Sequence, residues 1–297
     1  MGRVAVVGSA NVDHVIRVPH LPAPGETVLG SYYAQYMGGK GANQAVAAAR
    51  LGASAHFIGA FGTDAAGDEA LRSLETEGVD CRGVARVAEA ATGAAVIAVD
   101  GQGENQIAVA PGANLLLDPG DVTSAVEALQ PSVVLAVLEV PMAAVLAAAE
   151  AGRACDAWVL VNAAPAQPLP DAVLANYPLI IVNADELPLV GPSAADLVKR
   201  GAEGVIVTRG PEGAGLITAD GEVSISAERV GTVIDATGAG DTFSGALAAL
   251  LAEGLDLSRA ARMANTAAGL SVLREGARSG MPTRLELEER PERSPSV

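Results

Sequence analysis

The feature that most constrains this chain is a rhythm: short β-branched or apolar runs alternate with alanine-rich stretches of helical length. Runs at 4–7, 56–58, 133–138, 158–162, 179–182 and 205–208 read as buried strands, since each is short, apolar and bounded by turn formers. Residues 41–51, 67–77, 122–129, 142–151 and 194–199 between them read as helices. A strand followed by a helix, repeated, predicts an α/β fold of three layers, with a central, mostly parallel sheet covered by helices on both faces. Hydrophobic residues make up 50% of the 297 and aromatic ones 3%, so the core must be built of Ala, Val, Leu and Ile. A chain of this length buries roughly three quarters of its unfolded surface, enough for a core without staples.

Two regions break the rhythm. Within residues 12–35, His14-Val15-Ile16-Arg17-Val18 is followed by a Pro/Gly cluster and a second extended run at 27–33. Within residues 93–109, the runs 94–99 and 106–109 flank Asp100-Gly101-Gln102-Gly103 and read as a β-hairpin. Both can be read as extra strands outside the main sheet. A small sheet over a cleft is a common lid device, and plain surface hairpins fit the same pattern. Two long helices at 241–252 and 257–273 complete a single domain spanning 1–285. Residues 286–297 are charged and proline-containing and are expected to form a disordered tail.

The formal net charge of −16 argues against nucleic acid or an anionic membrane as partner. Val4-Ala5-Val6-Val7 is too short for a signal-peptide core, and no uninterrupted run of 18 apolar residues occurs, so a soluble, cytoplasmic protein is expected. Cys81 and Cys155 make no disulfide framework and read as buried thiols in a reducing compartment. His14, His20 and His56 lack metal-ligand spacing.

Three segments have the composition of a binding site. In Asp235-Ala236-Thr237-Gly238-Ala239-Gly240-Asp241, small residues precede a helix whose first N–H groups can surround an anion. Asp241, stabilised as an anion there, can accept a proton from a hydroxyl; the same residue also fits a plain helix cap. Gly38-Gly39-Lys40-Gly41-Ala42-Asn43-Gln44 opens a helix with a cation and a carboxamide, or makes a glycine-rich turn with a solvated lysine. Asn11 and Asp13 follow the first strand, where a carboxamide and a carboxylate can grip vicinal hydroxyls or build an Asx-turn. Glu139, Asn183 and Glu186 also follow strands. In a parallel sheet those carboxyl ends meet along one edge, which is what unites the segments. No G-x-x-x-x-G-K-[ST] and no G-x-G-x-x-G follows a strand, so neither a P-loop nor a dinucleotide fold is indicated.

Together these segments resemble the PfkB (ribokinase-like) carbohydrate kinases over nearly the whole chain, with 38–43 and 235–246 similar to the two family signatures. Asn11, Asp13, Thr92-Gly93, Gly112-Ala113-Asn114 and Asn162-Ala163-Ala164-Pro165 bring it nearest to the members that phosphorylate ribose. The resemblance implies a ribokinase-like fold with a β lid that also forms a homodimer interface. It implies transfer from ATP to the 5-hydroxyl of D-ribose, with Asp241 as base and Gly238, Ala239 and Gly240 as anion hole. Asn11, Asp13, Gly39, Lys40, Gly41, Ala42, Asn43 and Glu139 would hold the sugar. Asn183, Thr208, Arg209, Gly210, Pro211, Glu212, Gly213, Gly240 and Asn265 would contact the nucleotide, and Asn183 and Glu186 would act on Mg²⁺ and phosphate. Asp235, Thr237, Ser271, Arg274, Gly276 and Gly280 would hold K⁺, largely through carbonyls; Ala236 and Gly280 depart from the family's usual residues there. The competing readings are a related kinase acting on deoxyribose, fructose or a nucleoside such as adenosine, and a non-catalytic sugar sensor, which would not need Asp241.

Overall fold

The computed structural model describes residues 2–227 and 231–290. Its strands, in chain order, are β1 (Arg3–Val7), β2 (Asn11–Arg17), β3 (Tyr32–Gly38), β4 (Ser54–Gly62), β5 (Asp80–Val87), β6 (Gly93–Val99) and β7 (Asn105–Ala110). They continue with β8 (Val133–Val137), β9 (Trp158–Asn162), β10 (Leu179–Asn183), β11 (Gly204–Thr208), β12 (Ala214–Thr218) and β13 (Gly221–Ile225). The helices are α1 (Lys40–Arg50), α2 (Ala65–Thr76), α3 (Pro119–Leu129), α4 (Met142–Ala154), α5 (Asp171–Leu174) and α6 (Leu187–Val190). After them come α7 (Ala194–Lys199), α8 (Ala239–Ala252), α9 (Leu257–Ser271), α10 (Ala277–Gly280) and α11 (Arg284–Glu288).

Nine strands form one sheet in the order β13-β12-β11-β10-β9-β8-β1-β4-β5. It is parallel from β11 through β5, and β12 and β13 extend it antiparallel. Strand alternation splits its side chains between two cores. Val4, Val6, Phe57, Leu135, Leu160 and Ile206 pack with α1, α8 and α9, while Ala5, Val7, Ile58, Val134, Val161 and Val205 pack with α3 and α4. The three layers are those the strand–helix rhythm predicts. The sequence reading omits β5, β12 and β13. All three lie at or next to a sheet edge, where an apolar run is not required for burial; β13 buries only Ile225.

The two rhythm-breaking regions pair as a second sheet of order β3-β2-β6-β7, antiparallel except for the parallel pair β2 and β6. Its second strand is displaced from the expected 27–33 to Tyr32–Gly38, and its register with β2 places Asn11 opposite Gly38. The aromatic residues Tyr32, Tyr33 and Tyr36 suit a pleated strand better than the Gly30-Ser31 break before them. At the other end, order does not stop at residue 286, as composition suggested. Thr283 and Glu286 form a reciprocal capping box that starts α11; residues 291–297 of the expected tail lie outside the described residues.

Cys81 and Cys155 are free and half-buried rather than buried. Burial, with Glu75 and Asp80 nearby, pushes the Cys81 thiol up to about 12, which makes it a poor nucleophile. No helix among the described residues is long and apolar enough to cross a membrane.

Candidate active site

Asp241 sits where two helices meet very closely. A Cβ on Gly245 of α8 would stand 2.3 Å from Gln44 O of α1, so only glycine lets the helices approach this far. That approach brings the first turn of α1 to the first turn of α8. Asn43 Nδ2 donates to Asp241 Oδ2 at 3.0 Å, and Gln44 Nε2 donates to Asp241 Oδ1 at 2.9 Å. Asp241 is not a helix cap: the N-cap of α8 is Gly238, and no side chain caps that end. Each carboxylate oxygen is held by one amide and keeps capacity for a further donor. Burial pushes the Asp241 carboxyl up from its ordinary value; Lys40, Gln44 and Asn43 oppose the rise and Glu139 adds to it. Gln44 Oε1 is buried with no partner among the described residues, a penalty of about 1–3 kcal/mol accepted to hold the carboxylate.

The sugar-side residues of the sequence reading come together around this pair. Asn11 opens β2 and accepts from Asn114 Nδ2 at 2.9 Å. Asn114 also exchanges hydrogen bonds with both backbone groups of Ala10, at 3.0 and 3.2 Å, which fixes the chain between β1 and β2. The Asp13 carboxylate lies over Gly38, where a Cβ would stand 2.0 Å from Asp13 Oδ2. Burial raises the Asp13 carboxyl to about 6, Glu139 and Asp241 add to that, and Arg278 opposes it. Glu139 accepts from the Ser9 hydroxyl and, at 3.1 Å, from Lys40 N. Gly39, Gly41 and Ala42 supply backbone in the same turn and first helical residues.

A cleft of about 170 Å³ opens beside Asp241, lined by Lys40, Asn183, Glu186, Thr208 and the turn of Gly238, Ala239 and Gly240. Asn183 Oδ1 accepts from Glu186 N at 2.7 Å, which seats both at the end of β10. Of the three N–H groups expected to form an anion hole, that of Ala239 donates to Ala236 O at 3.2 Å; Gly238 and Gly240 also line the cleft. The other nucleotide residues of the sequence reading are not among those that line this cleft. Gly210, Pro211 and Glu212 form a short 3-10 turn ending at Gly213, Arg209 pairs with Glu222 at 3.2 Å, and Asn265 donates to Ser226 O at 3.2 Å. A larger hollow of about 390 Å³ lies between α9 and α11 and contains Arg274 and Gly280 but none of the sugar-side residues.

Asp235 ties the turn before α8 to the segment before α10. It accepts from Thr237 N at 2.9 Å and from Gly276 N at 2.8 Å. Burial raises its carboxyl, but the hydrogen bonds from Thr237 and Gly276 outweigh this and leave it below its ordinary value. The sequence reading gave no role to Gln44, Asn114 or Arg278. Gln44 and Asn114 stand inside quoted motifs, and their burial as polar residues marks them only in three dimensions. Arg278 lies in a segment with no motif.

A model of the "pfkB family carbohydrate kinase" matches residues 1–284. The ribokinase of Haemophilus influenzae is 39% identical over 95% of this chain and 96% of its own length. The ribokinase of Bacillus subtilis is 37% identical over 97% and 99%. The structure of the Arabidopsis thaliana ribokinase complexed with ribose and ATP superimposes with a TM-score of 0.88 at 30% identity, covering 97% of this chain and 98% of that one. This chain therefore belongs to the pfkB family of carbohydrate kinases.

Proposed function

We propose that this chain transfers the γ-phosphoryl group of ATP to the 5-hydroxyl of D-ribose, giving D-ribose 5-phosphate and ADP. The observation that carries the reading is Asp241: a buried carboxylate, each oxygen tied to an amide, at the start of α8 and in the same cleft as Lys40. Full-length similarity to ribokinases supports ribose as the sugar. Asp241 accepts the hydroxyl proton as that oxygen attacks phosphorus, and a carboxyl raised by burial is a better base than an exposed one. The N–H groups of Gly238 and Gly240, at the positive end of α8, face the charge on the transferring group. Asn11, Asp13, Asn43 and Glu139 offer acceptors and donors to the sugar hydroxyls, and Asn183, Glu186 and Thr208 line the nucleotide end.

Mg²⁺ would neutralise charge on the ATP phosphates, with Asn183 and Glu186 the nearest side chains suited to its water shell. For K⁺ the donor set fits: a Cβ on Gly280 would stand 2.3 Å from Ser271 O and 3.6 Å from Arg274 O, so two carbonyls lie close there, and Gly276 of the same segment donates to the Asp235 carboxylate. The same crowding accounts for glycine at 280. A bound K⁺ would hold the turn at 235–240 in place. On the face of the small sheet turned away from Asp13, Tyr33 and Val96 are exposed, a surface that a second copy would cover in a homodimer. Dependence on ATP and two free thiols support a cytoplasmic site of action.

ADP release measured over a panel of ribose, deoxyribose, fructose and adenosine, with and without K⁺, tests the reading. Ribose is expected to give the highest kcat/KM and K⁺ to raise kcat. Equal rates on fructose or adenosine would remove ribose as the substrate.

A further inference from the structure

Arg278 is a half-buried cation that the reaction as described leaves without a task. It sits in α10, between the Gly276 that binds Asp235 and the Gly280 that packs on Ser271. Its backbone is pinned from α1: Arg50 Nη1 donates to Arg278 O at 2.5 Å and to Met281 O at 3.0 Å, while Arg50 Nη2 pairs with Glu77 at 2.7 Å. Its guanidinium then reaches inward in three directions. Nε donates to Asn43 Oδ1 at 2.9 Å, Nη2 to Gly38 O at 3.2 Å and Nη1 to Ser73 Oγ at 3.2 Å.

The direction of these bonds matters. A guanidinium has donors only, so the atom of Asn43 that faces it must be the carbonyl oxygen. That choice turns the Asn43 amide nitrogen to the other side, where it donates to Asp241 Oδ2 at 3.0 Å. A carboxamide alone has no such preference, because its two ends are nearly the same size and a half-turn about χ2 exchanges them. With the ends exchanged, Asn43 Oδ1 would face the Asp241 carboxylate, two acceptors in contact. The second bond ends on the carbonyl of Gly38, the residue at which β3 leaves the small sheet for the site.

We infer that Arg278 is a positioning residue for the base: it fixes the amide of Asn43 so that its nitrogen holds Asp241, and anchors the end of β3 above it. It touches neither the reacting atoms nor the nucleotide cleft, and it acts on turnover through Asn43. The inference rests on Asp241 being the base. Burial lowers the guanidinium to about 10, with Glu77, Asp13 and Asp241 opposing, so it is cationic at neutral pH. A lysine would keep the charge but could not serve Asn43, Gly38 and Ser73 from one planar fork.

The test is a double-mutant cycle on kcat with Arg278→Ala, Asn43→Ala and the double variant, on whichever sugar the wild-type protein turns over. Arg278→Ala is expected to lower kcat by roughly 10- to 100-fold, the scale of a base misplaced by about an ångström, with KM for ATP changed less than twofold. In the Asn43→Ala background the same substitution is expected to cost less than about threefold, because the group it acts through is gone. Added guanidinium should restore part of the activity of Arg278→Ala, and Arg278→Lys should lie between it and wild type. Additive losses, or a loss confined to KM for ATP, would overturn the inference. A second measurement needs no turnover: the side-chain NH₂ resonances of Asn43 should be protected from exchange in wild type and lose that protection in Arg278→Lys. Unchanged protection would also overturn it. Failure of the wild-type protein on every sugar would reject the kinase reading while this measurement still decides the role of Arg278.

Discussion

The two sheets of this molecule are built on opposite terms. In the nine-stranded sheet β8 is buried at every residue and β10 at all but its last. In the four-stranded sheet β7 is exposed at every residue, and β3 buries only Gly38, where it enters the site. A strand covered on both faces cannot shift without breaking two cores, so the carboxyl ends of the large sheet are fixed points. The small sheet has little to lose by moving and joins the rest mainly through residues 11, 38 and 93, which lie side by side across its strands. On the proposed reading, position comes from one sheet and cover from the other, the division that phosphoryl transfer away from water requires.

Substitutions on the large-sheet side should therefore show in chemistry and stability. The largest effect is expected at Asp241. Asp241→Asn should lower kcat by ~10²–10⁴-fold, the usual contribution of a general base, with KM for ATP nearly unchanged. Steady-state kinetics checks this, and near-normal turnover would take the base role from Asp241. Next comes the layer beneath. Leu135→Ala removes a fully buried side chain from the middle of β8 and should destabilise by about 2–5 kcal/mol, read from the urea midpoint at unchanged slope. A loss below about 1 kcal/mol would mean that the site edge is not held as rigidly as its burial implies.

Asp13 belongs to both regions, being carried by β2 of the small sheet and raised to about 6 by burial and by Glu139. The form that accepts hydrogen bonds from sugar hydroxyls is the carboxylate. As pH falls through about 6 this group takes up a proton, so KM for ribose should rise by up to about tenfold per pH unit below that point. For stability the sign is opposite: a carboxyl with a raised folded-state value favours folding at low pH, and that contribution is lost as pH rises from the ordinary 3.8 through about 6. Asp13→Asn should flatten the KM profile and weaken ribose binding at neutral pH. A profile of the same shape in that variant would assign the limb to another group.

The large sheet was the legible half of the molecule. Val4, Val133, Leu160 and Ile180 sit in runs that only a doubly covered strand needs, and the helices between them differ from expectation mainly at their ends. The edge strands were not legible, because β12 and β13 turn on Ala219-Asp220 and bury few side chains outside their inner face. Of the site, Asp241, Asn43 and Lys40 were readable because small residues beside a polar one are a local pattern. Gln44 and Asn114 are recognisable as site residues only once their burial is known. Arg278 could not be read at all. Its partners Gly38, Asn43 and Ser73 are more than 200 positions away in sequence, and only the α1–α10 contact brings them together.

The smallest effect on stability is expected from the small sheet, and it sharpens the comparison most. Tyr33 of β3 and Val96 of β6, each more than half exposed, lie on the face of the small sheet opposite Asp13, so lysine at both should change folding free energy by only about 0.5 kcal/mol. A second copy laid on that face would have to bury both lysines, so if the proposed homodimer forms there, sedimentation should show a dimer for wild type and monomer for the double variant. Turnover should survive, because both side chains lie on the face of the sheet opposite Asp13, but water should enter more easily. ATP hydrolysis without sugar, measured against ribose phosphorylation, is the ratio that should rise. An unchanged ratio together with an unchanged sedimenting mass would reduce the second sheet to a plain surface hairpin and leave the large sheet to exclude water by itself.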